Sequence, residues 1–498
     1  TEYDVTNNGE LTIQSGGSLV QKNNSAMYNE SGITTISRTS RTMRTNDYVY
    51  WSSPVQENVF SQIPSEFDRK YRWPLNNTMI SNWVVLSETT PANGFITRVK
   101  NIAPFNTTGG TITFDFEGTP NSGIISTYAN VYGYGTDWET ANGNTVLLGN
   151  PYPSAIDARQ LIAANTSLAM GSLFFWTSVT LYNGSGPYNV LDYATWNLSG
   201  STAPNSDLLN ESLNPQGYIA SGQGFFAQVF IDGNVVFKND MRVRGFDAAN
   251  DSDNLNNQFF RTTNQETIET PIEIERHRIW VNLSNGKDAY RQMMMGYVEN
   301  ASNGFDNQYD GTSFTTNEID IYTLLENKEL AIQGRALPFV TEDIIPLGYR
   351  ITNPGIYAVN LGATDGLFAG DQEVYLYDKN TKTLHNLKKG PYEFQAQAGT
   401  YNDRFEIRFS ELSKESNPIV SENTIQIFGA SGALHVNSYG TNIQSIEVFD
   451  LLGKRIFSSH EINNVSYVSS TIKTASPFLI ARVTLANNQV ISKKIIIQ

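Results

Sequence analysis

Apolar residues in this chain come in short runs of alternating character, and turn residues interrupt every run. Thr111-Ile112-Thr113-Phe114-Asp115-Phe116 and Phe405-Glu406-Ile407-Arg408-Phe409 each send one side chain inward and the next outward, the period of a half-buried β-strand. The 38 Gly and 18 Pro, with Asn and Asp throughout, supply the turns. The longest apolar runs, such as Trp83-Val84-Val85-Leu86 and Leu173-Phe174-Phe175-Trp176, are four residues. A membrane-spanning helix needs ~18. The pattern predicts an all-β protein. At 498 residues the chain is too long for one ordinary core, so several domains are expected.

Composition narrows the function. Hydrophobic residues at 39% and aromatics at 12% exclude a disordered chain. A net charge of −15 argues against nucleic acid or an anionic membrane as a non-specific partner, because both need positive charge. The absence of Cys removes disulfides, thiolate zinc sites and Cys nucleophiles together. It suits a chain that crosses an oxidising space before folding. The start, Thr1-Glu2-Tyr3-Asp4, carries neither the basic nor the apolar region of a signal peptide. The expected reading is an exported chain whose signal was removed, or the C-terminal portion of a larger one.

Four segments follow along the chain. In residues 1–45, Gly9-Glu10-Leu11-Thr12-Ile13 is echoed by Gly17-Ser18-Leu19-Val20 and by Gly32-Ile33-Thr34-Thr35-Ile36. This pattern fits β-solenoid-like rungs or a β-meander. Rungs could not bury their own face alone, so more would lie upstream. Residues 46–265 read as a β-sandwich module with one short helix around Ala158–Ala163, Ser154 as its cap, Asp157 three residues on and Asn165 as its stop. Asp247 to Asn257 reads as a linker. Residues 270–412 read as a second β-sandwich module, and 410–422 as a second linker. Residues 423–498 form a compact unit of six or seven short strands, most simply an Ig-like β-sandwich.

This last segment carries the most specific signal. Strand Ile446–Phe449 runs into Asp450-Leu451-Leu452-Gly453-Lys454, and Arg455-Ile456-Phe457 returns antiparallel. Gly453 supplies positive φ there. Phe478–Leu485, a turn at Asn487-Asn488, and Val490–Ile497 form the final hairpin. Strand, Asp-Leu-Leu-Gly-Lys, strand and a closing hairpin with Lys493-Lys494 resemble the C-terminal sorting domain of the type IX secretion system of Bacteroidota, type A. Ala475-Ser476-Pro477-Phe478 departs from that family's Gly-containing aromatic strand start. The resemblance implies a sorting signal at Asp450, Leu451, Leu452, Gly453, Lys454, Lys493 and Lys494. It also implies partners in the outer-membrane translocon and a smaller shuttle barrel, and a secreted or cell-surface location. Upstream stretches such as Leu148-Gly149-Asn150-Pro151-Tyr152-Pro153 resemble flavobacterial surface proteins, adhesin-like and without assigned chemistry.

Catalytic signatures are sparse. His277, His385, His435 and His460 stand apart, with no metal spacing between them. No Gly-x-Ser-x-Gly elbow occurs. Gly222-Gln223-Gly224 leads into a strand, so no helix N-terminus is offered to a dinucleotide. The expectation is a non-enzyme without cofactor. The alternative is a secreted polysaccharide-degrading or carbohydrate-binding protein with the same sorting domain. Oxygen ligands that could take Ca²⁺ gather at Asp247, Asn250, Asp251 and Asp253, and again at Asp306, Asn307 and Asp310. Polar loops look like this by default. Tyr182, Tyr188, Tyr193 and Trp196, among Gly, Asn and Ser, form the best candidate loop patch for surface glycans, against a default reading as core.

Overall fold

The computed structural model describes residues 3–73, 83–130, 145–182, 184–204, 214–243, 274–287, 289–313, 319–411, 425–430, 432–438, 441–450, 453–474, 478–486 and 490–497. Half of the chain is strand, and the described residues hold one short α-helix. The chain divides into two compact units, Thr1–Ser410 and Glu411–Gln498.

The first unit opens with parallel pairing. Val5–Asn7 lies on Tyr28–Glu30 and Glu10–Ile13 lies on Ile33–Thr39, with Val5 opposite Tyr28 and Glu10 opposite Ile33. Both offsets are 23 residues, so one turn of chain stacks on the next. The turn at Gly9 rests directly on the turn at Gly32, where a Cβ would collide with the Gly9 backbone. The Asn7 amide fixes the stack by donating to Glu30 Oε1 (2.9 Å) and Thr34 Oγ1 (3.1 Å). The expected echo at Gly17–Val20 forms no strand. Its Leu19 N–H donates instead to the Pro153 carbonyl. Thr113–Glu117 pairs antiparallel with Ile33–Thr39 and covers that side of the stack.

Two further sheets follow. Tyr48–Trp51, Phe95–Val99, Phe67–Arg72 and Val84–Val85 make a four-stranded sheet. Its inner face packs Trp51, Phe95 and Val99 against Phe114 and Phe116. Thr145–Gly149, Gly224–Gln228, Leu173–Trp176, Tyr193–Trp196 and Ser201–Thr202 make a five-stranded one.

The helix spans Ala158–Ala164, and its cap is Asp157, not Ser154. Ile156–Asp157 pairs as a strand with Tyr218–Ile219, so the chain stays extended until Asp157. The Asp157 carboxylate then accepts from Arg159 N. Ser154 Oγ accepts from Arg242 Nε instead. Asn165 closes the helix, its amide donating to the Leu161 carbonyl at 2.8 Å.

The segment between Arg276 and Arg408 folds as one curled, nearly closed, barrel-like sheet of eleven strands. Its two end strands, Thr383–Asn386 and Tyr392–Ala396, are joined by the short turn Leu387–Lys389. The Tyr392 hydroxyl donates across to Asp378 at 2.9 Å. This sheet is bonded to the preceding segment. Trp280 Nε1 donates to Ser201 O at 2.7 Å, and Ser199 Oγ donates to Tyr309 O at 2.7 Å.

In the second unit, Ile425–Ala430, Ala433–Ser438 and Ser466–Val468 form one sheet. Arg455–Asn464, Ile443–Phe449, Phe478–Leu485 and Val490–Ile496 form the other. Inward positions from both, including Ile427, Val436, Ile446, Val448, Leu479, Val483 and Ile495, share one core.

Candidate functional site

The strand–turn–strand motif of the second unit takes the expected local form. The Asp450 side chain accepts from Lys454 N at 2.9 Å, and its carbonyl accepts from Gly453 N at 3.1 Å. Gly453 has φ +84° with open space around it, so only the backbone demands glycine there. Gly453→Ala is expected to destabilise the second unit by about 1–2 kcal/mol in urea unfolding, the cost of a left-handed L-residue. Gly453→Asn should recover much of it. Leu451 and Leu452 lie outside the described residues.

The register decides what stands beside this turn. Phe449 is opposite Ile480, and Ile480 is opposite Lys494. Turn and Lys494 therefore share one end of the sheet, two strand spacings or about 10 Å apart. The two lysines do not form one patch. Lys494 faces outward with its Nζ 5.1 Å from the Phe478 ring, while Lys493 sits opposite core-facing Ala481. Consecutive strand residues point to opposite faces.

Around Lys494 the outer face carries Arg482, the Arg455–Glu447 pair (2.7 Å), and exposed Phe478 and Ile496. Residues 423–498 contain six basic and three acidic residues, a net +3 in a chain of −15. A second exposed row crosses the three-stranded sheet. Phe428 stacks on His435 (5.1 Å, 8°), and Val468 is paired beside His435. The motif gives no hint of this row. Strict alternation does, because Ile425 and Ile427 turn inward and leave Phe428 outside.

Of the four upstream aromatic candidates, Tyr182, Tyr188 and Tyr193 gather beside Trp176, and Trp196 stands apart. Tyr193–Trp196 is a strand, not a loop, and Trp196 faces the core with Leu173 and Phe225. Tyr182 and Tyr188 stack at 4.1 Å and 9°, and the Tyr193 hydroxyl shares a 2.6 Å hydrogen bond with Tyr50. Trp196 thus lies on the opposite side of the strand from Tyr193.

Asp247, Asn250, Asp251 and Asp253 lie outside the described residues. Asp310 is buried, and its carboxylate accepts from the N–H groups of Asp306 (2.7 Å) and Gly334 (2.9 Å). It ties its own loop to the barrel-like sheet. Among the described residues no three His, Asp or Glu side chains gather as a metal site.

No curated protein matches the chain. Among solved structures, the 47-kilodalton lipoprotein Tp47 of Treponema pallidum aligns at 8% identity over 75% of this chain and all of its own. Its TM-score is 0.13, so it carries no argument about fold or function. Residues 413–497 match a domain of unknown function, DUF8694. Residues 1–409, most of the sequence, match another, DUF8693, and the chain belongs to that family.

Proposed function

We propose that this is an exported cell-surface protein whose last unit is an address for type IX secretion. The translocon and the shuttle barrel of the outer membrane would be its readers. The observation that carries this reading is a compact C-terminal unit whose residues 423–498 are net basic in an otherwise acidic chain. On that unit the Asp450–Lys454 turn and Lys494 stand at one end of an apolar, basic face. Such a face suits docking on a partner of complementary charge. The unit is an Ig-like sandwich in this reading.

The parallel stack at Val5–Thr39 is solenoid-like in this reading, in keeping with the 23-residue offset shared by its two strand pairs. The sheets between this stack and the address serve as spacer or adhesion modules.

The test uses a Bacteroidota host with an active type IX system. The chain cut at residue 411 is expected to accumulate in the periplasm, and a passenger fused to residues 412–498 is expected at the surface or in the medium. Normal export of the truncated chain would overturn the reading.

A further inference from the structure

Among the described residues, buried members of the four largest apolar clusters outnumber half-buried ones by 23 to 6, 22 to 3, 16 to 2 and 14 to 5. The next cluster reverses this, with six buried and seven half-buried members, six of the seven aromatic. It lies where the four-stranded sheet meets the five-stranded one. Tyr50, Phe174, Trp176 and Phe226 form its floor. Tyr48, Tyr71, Trp73, Trp83, Tyr188 and Tyr193 rise from that floor to the surface. Trp73 and Trp83 meet at 5.2 Å and 76°, an L-shaped corner against Phe226.

Two details separate this face from an ordinary core. Buried Tyr and Trp usually place their polar tips on a partner. Here the indole N–H groups of Trp73 and Trp83 and the Tyr71 hydroxyl make no hydrogen bond among the described residues. Planar polar groups also border the rings. Tyr48, Arg98 and Arg69 lie in one cross-strand row. Arg98 binds Asp68 through two bonds of 3.0 and 2.6 Å. Arg69 is exposed and has no ion pair among the described residues.

We propose that this face binds the pyranose units of a polysaccharide. A pyranose offers an apolar C–H face ringed by equatorial hydroxyls. The C–H face matches the half-exposed rings, and the hydroxyls match the indole N–H groups, Tyr71 and the Asp68–Arg98 pair. A few placed polar groups on an apolar surface is the usual make-up of a small-ligand site. Arg69 adds a partner for a uronate carboxylate. The proposal concerns the first unit alone and is independent of the export reading.

The test is affinity electrophoresis of the full chain through hydroxyethyl cellulose, laminarin or alginate, with tryptophan fluorescence as a second readout. Retardation by at least one polysaccharide is expected. Trp83→Ala and Tyr71→Ala should each weaken it at least about fivefold, one aromatic contact being worth about 1 kcal/mol. Near-UV circular dichroism confirms that each variant is folded. If the ligand is acidic, Arg69→Ala weakens alginate binding alone; if neutral, it leaves the glucans unaffected. No retardation by any of the three, or unchanged affinity in both folded ring variants, overturns the proposal.

Discussion

Asp320→Ala is expected to destabilise the first unit by about 3–5 kcal/mol, the usual effect of stranding one member of a buried ion pair. Asp320 is fully buried, and Arg291, 2% exposed, donates to it at 3.1 Å. The Ser313 hydroxyl and the Ile321 N–H also donate to the carboxylate, and Arg350 stands 3.8 Å away. Burial outweighs these partners and holds the Asp320 carboxyl above its ordinary range. The pair is therefore a weak net stabiliser but expensive to break. With the carboxylate gone, Arg291 keeps its charge inside the sheet without a counter-ion. Arg350 loses less, because it still holds Glu329 through two contacts of 3.0 and 3.1 Å. The double variant Asp320→Leu/Arg291→Met should regain most of the loss, since it removes both charges and fills similar volume. Tryptophan fluorescence in urea measures this cleanly, because all seven Trp lie at or before residue 280, within the first unit. A shift in midpoint below that of an ordinary surface substitution would show that water reaches Arg291.

The first unit is also expected to become more stable as pH falls from 8 to about 5. Burial pushes the Asp192 carboxyl up to about 6, against hydrogen bonds from Thr180 that pull it down. Burial likewise pushes Asp310 up to about 7, against the N–H groups of Asp306 and Gly334. In the unfolded chain both titrate near 3.8. Between pH 4 and 7 the folded state therefore holds more protons, so stability falls as pH rises through that window. One pH unit of displacement corresponds to about 1.4 kcal/mol, which puts the combined effect on the order of a few kcal/mol. Below pH 4 the sign reverses. Burial pushes Asp378 up, but hydrogen bonds from Arg404 and Tyr392 overcome it and leave the group below its ordinary range. Glu406 is lowered in the same way, with Lys379 and Arg408 overcoming its burial. Stability from these two is present above the unfolded values and is lost as pH falls through the folded ones. Calorimetry of the first unit's transition at constant ionic strength should show a maximum near pH 4–5. Asp310→Asn should flatten the slope above it, and a rising melting temperature between pH 5 and 8 would contradict the assignment.

What could be read without a structure was local. The alternation in Thr111–Phe116 and Phe405–Phe409 reports which side chains face inward, and most of each stretch lies in a strand, Thr113–Glu117 and Gly399–Arg408, with Thr111, Ile112 and Phe409 just outside. The cap and stop signals around residues 158–163 located the helix, with Asn165 at its end. Asp450 and Gly453 specified a turn, because one offers a local acceptor and the other a permitted positive φ.

Partner choice was not legible, because alternation encodes only in and out. A sandwich and a curled sheet present the same period of two along each strand. Only long-range pairing made residues 276–408 one barrel-like sheet. Ser154 reads as the cap with Asp157 three residues on, but the pairing of Ile156–Asp157 with Tyr218–Ile219 keeps the chain extended and moves the cap to Asp157. The adjacent lysines 493 and 494 read as a pair, yet the pleat sends them to opposite faces. Tyr193 and Trp196 read as one aromatic patch, yet they lie on opposite sides of one strand. The sequence by itself determined that the chain would be strands and turns, and where several of them lie. The tertiary structure decided which strands meet, and through that which rings and charges share a surface, because contacts between residues far apart in sequence leave no trace in any local pattern.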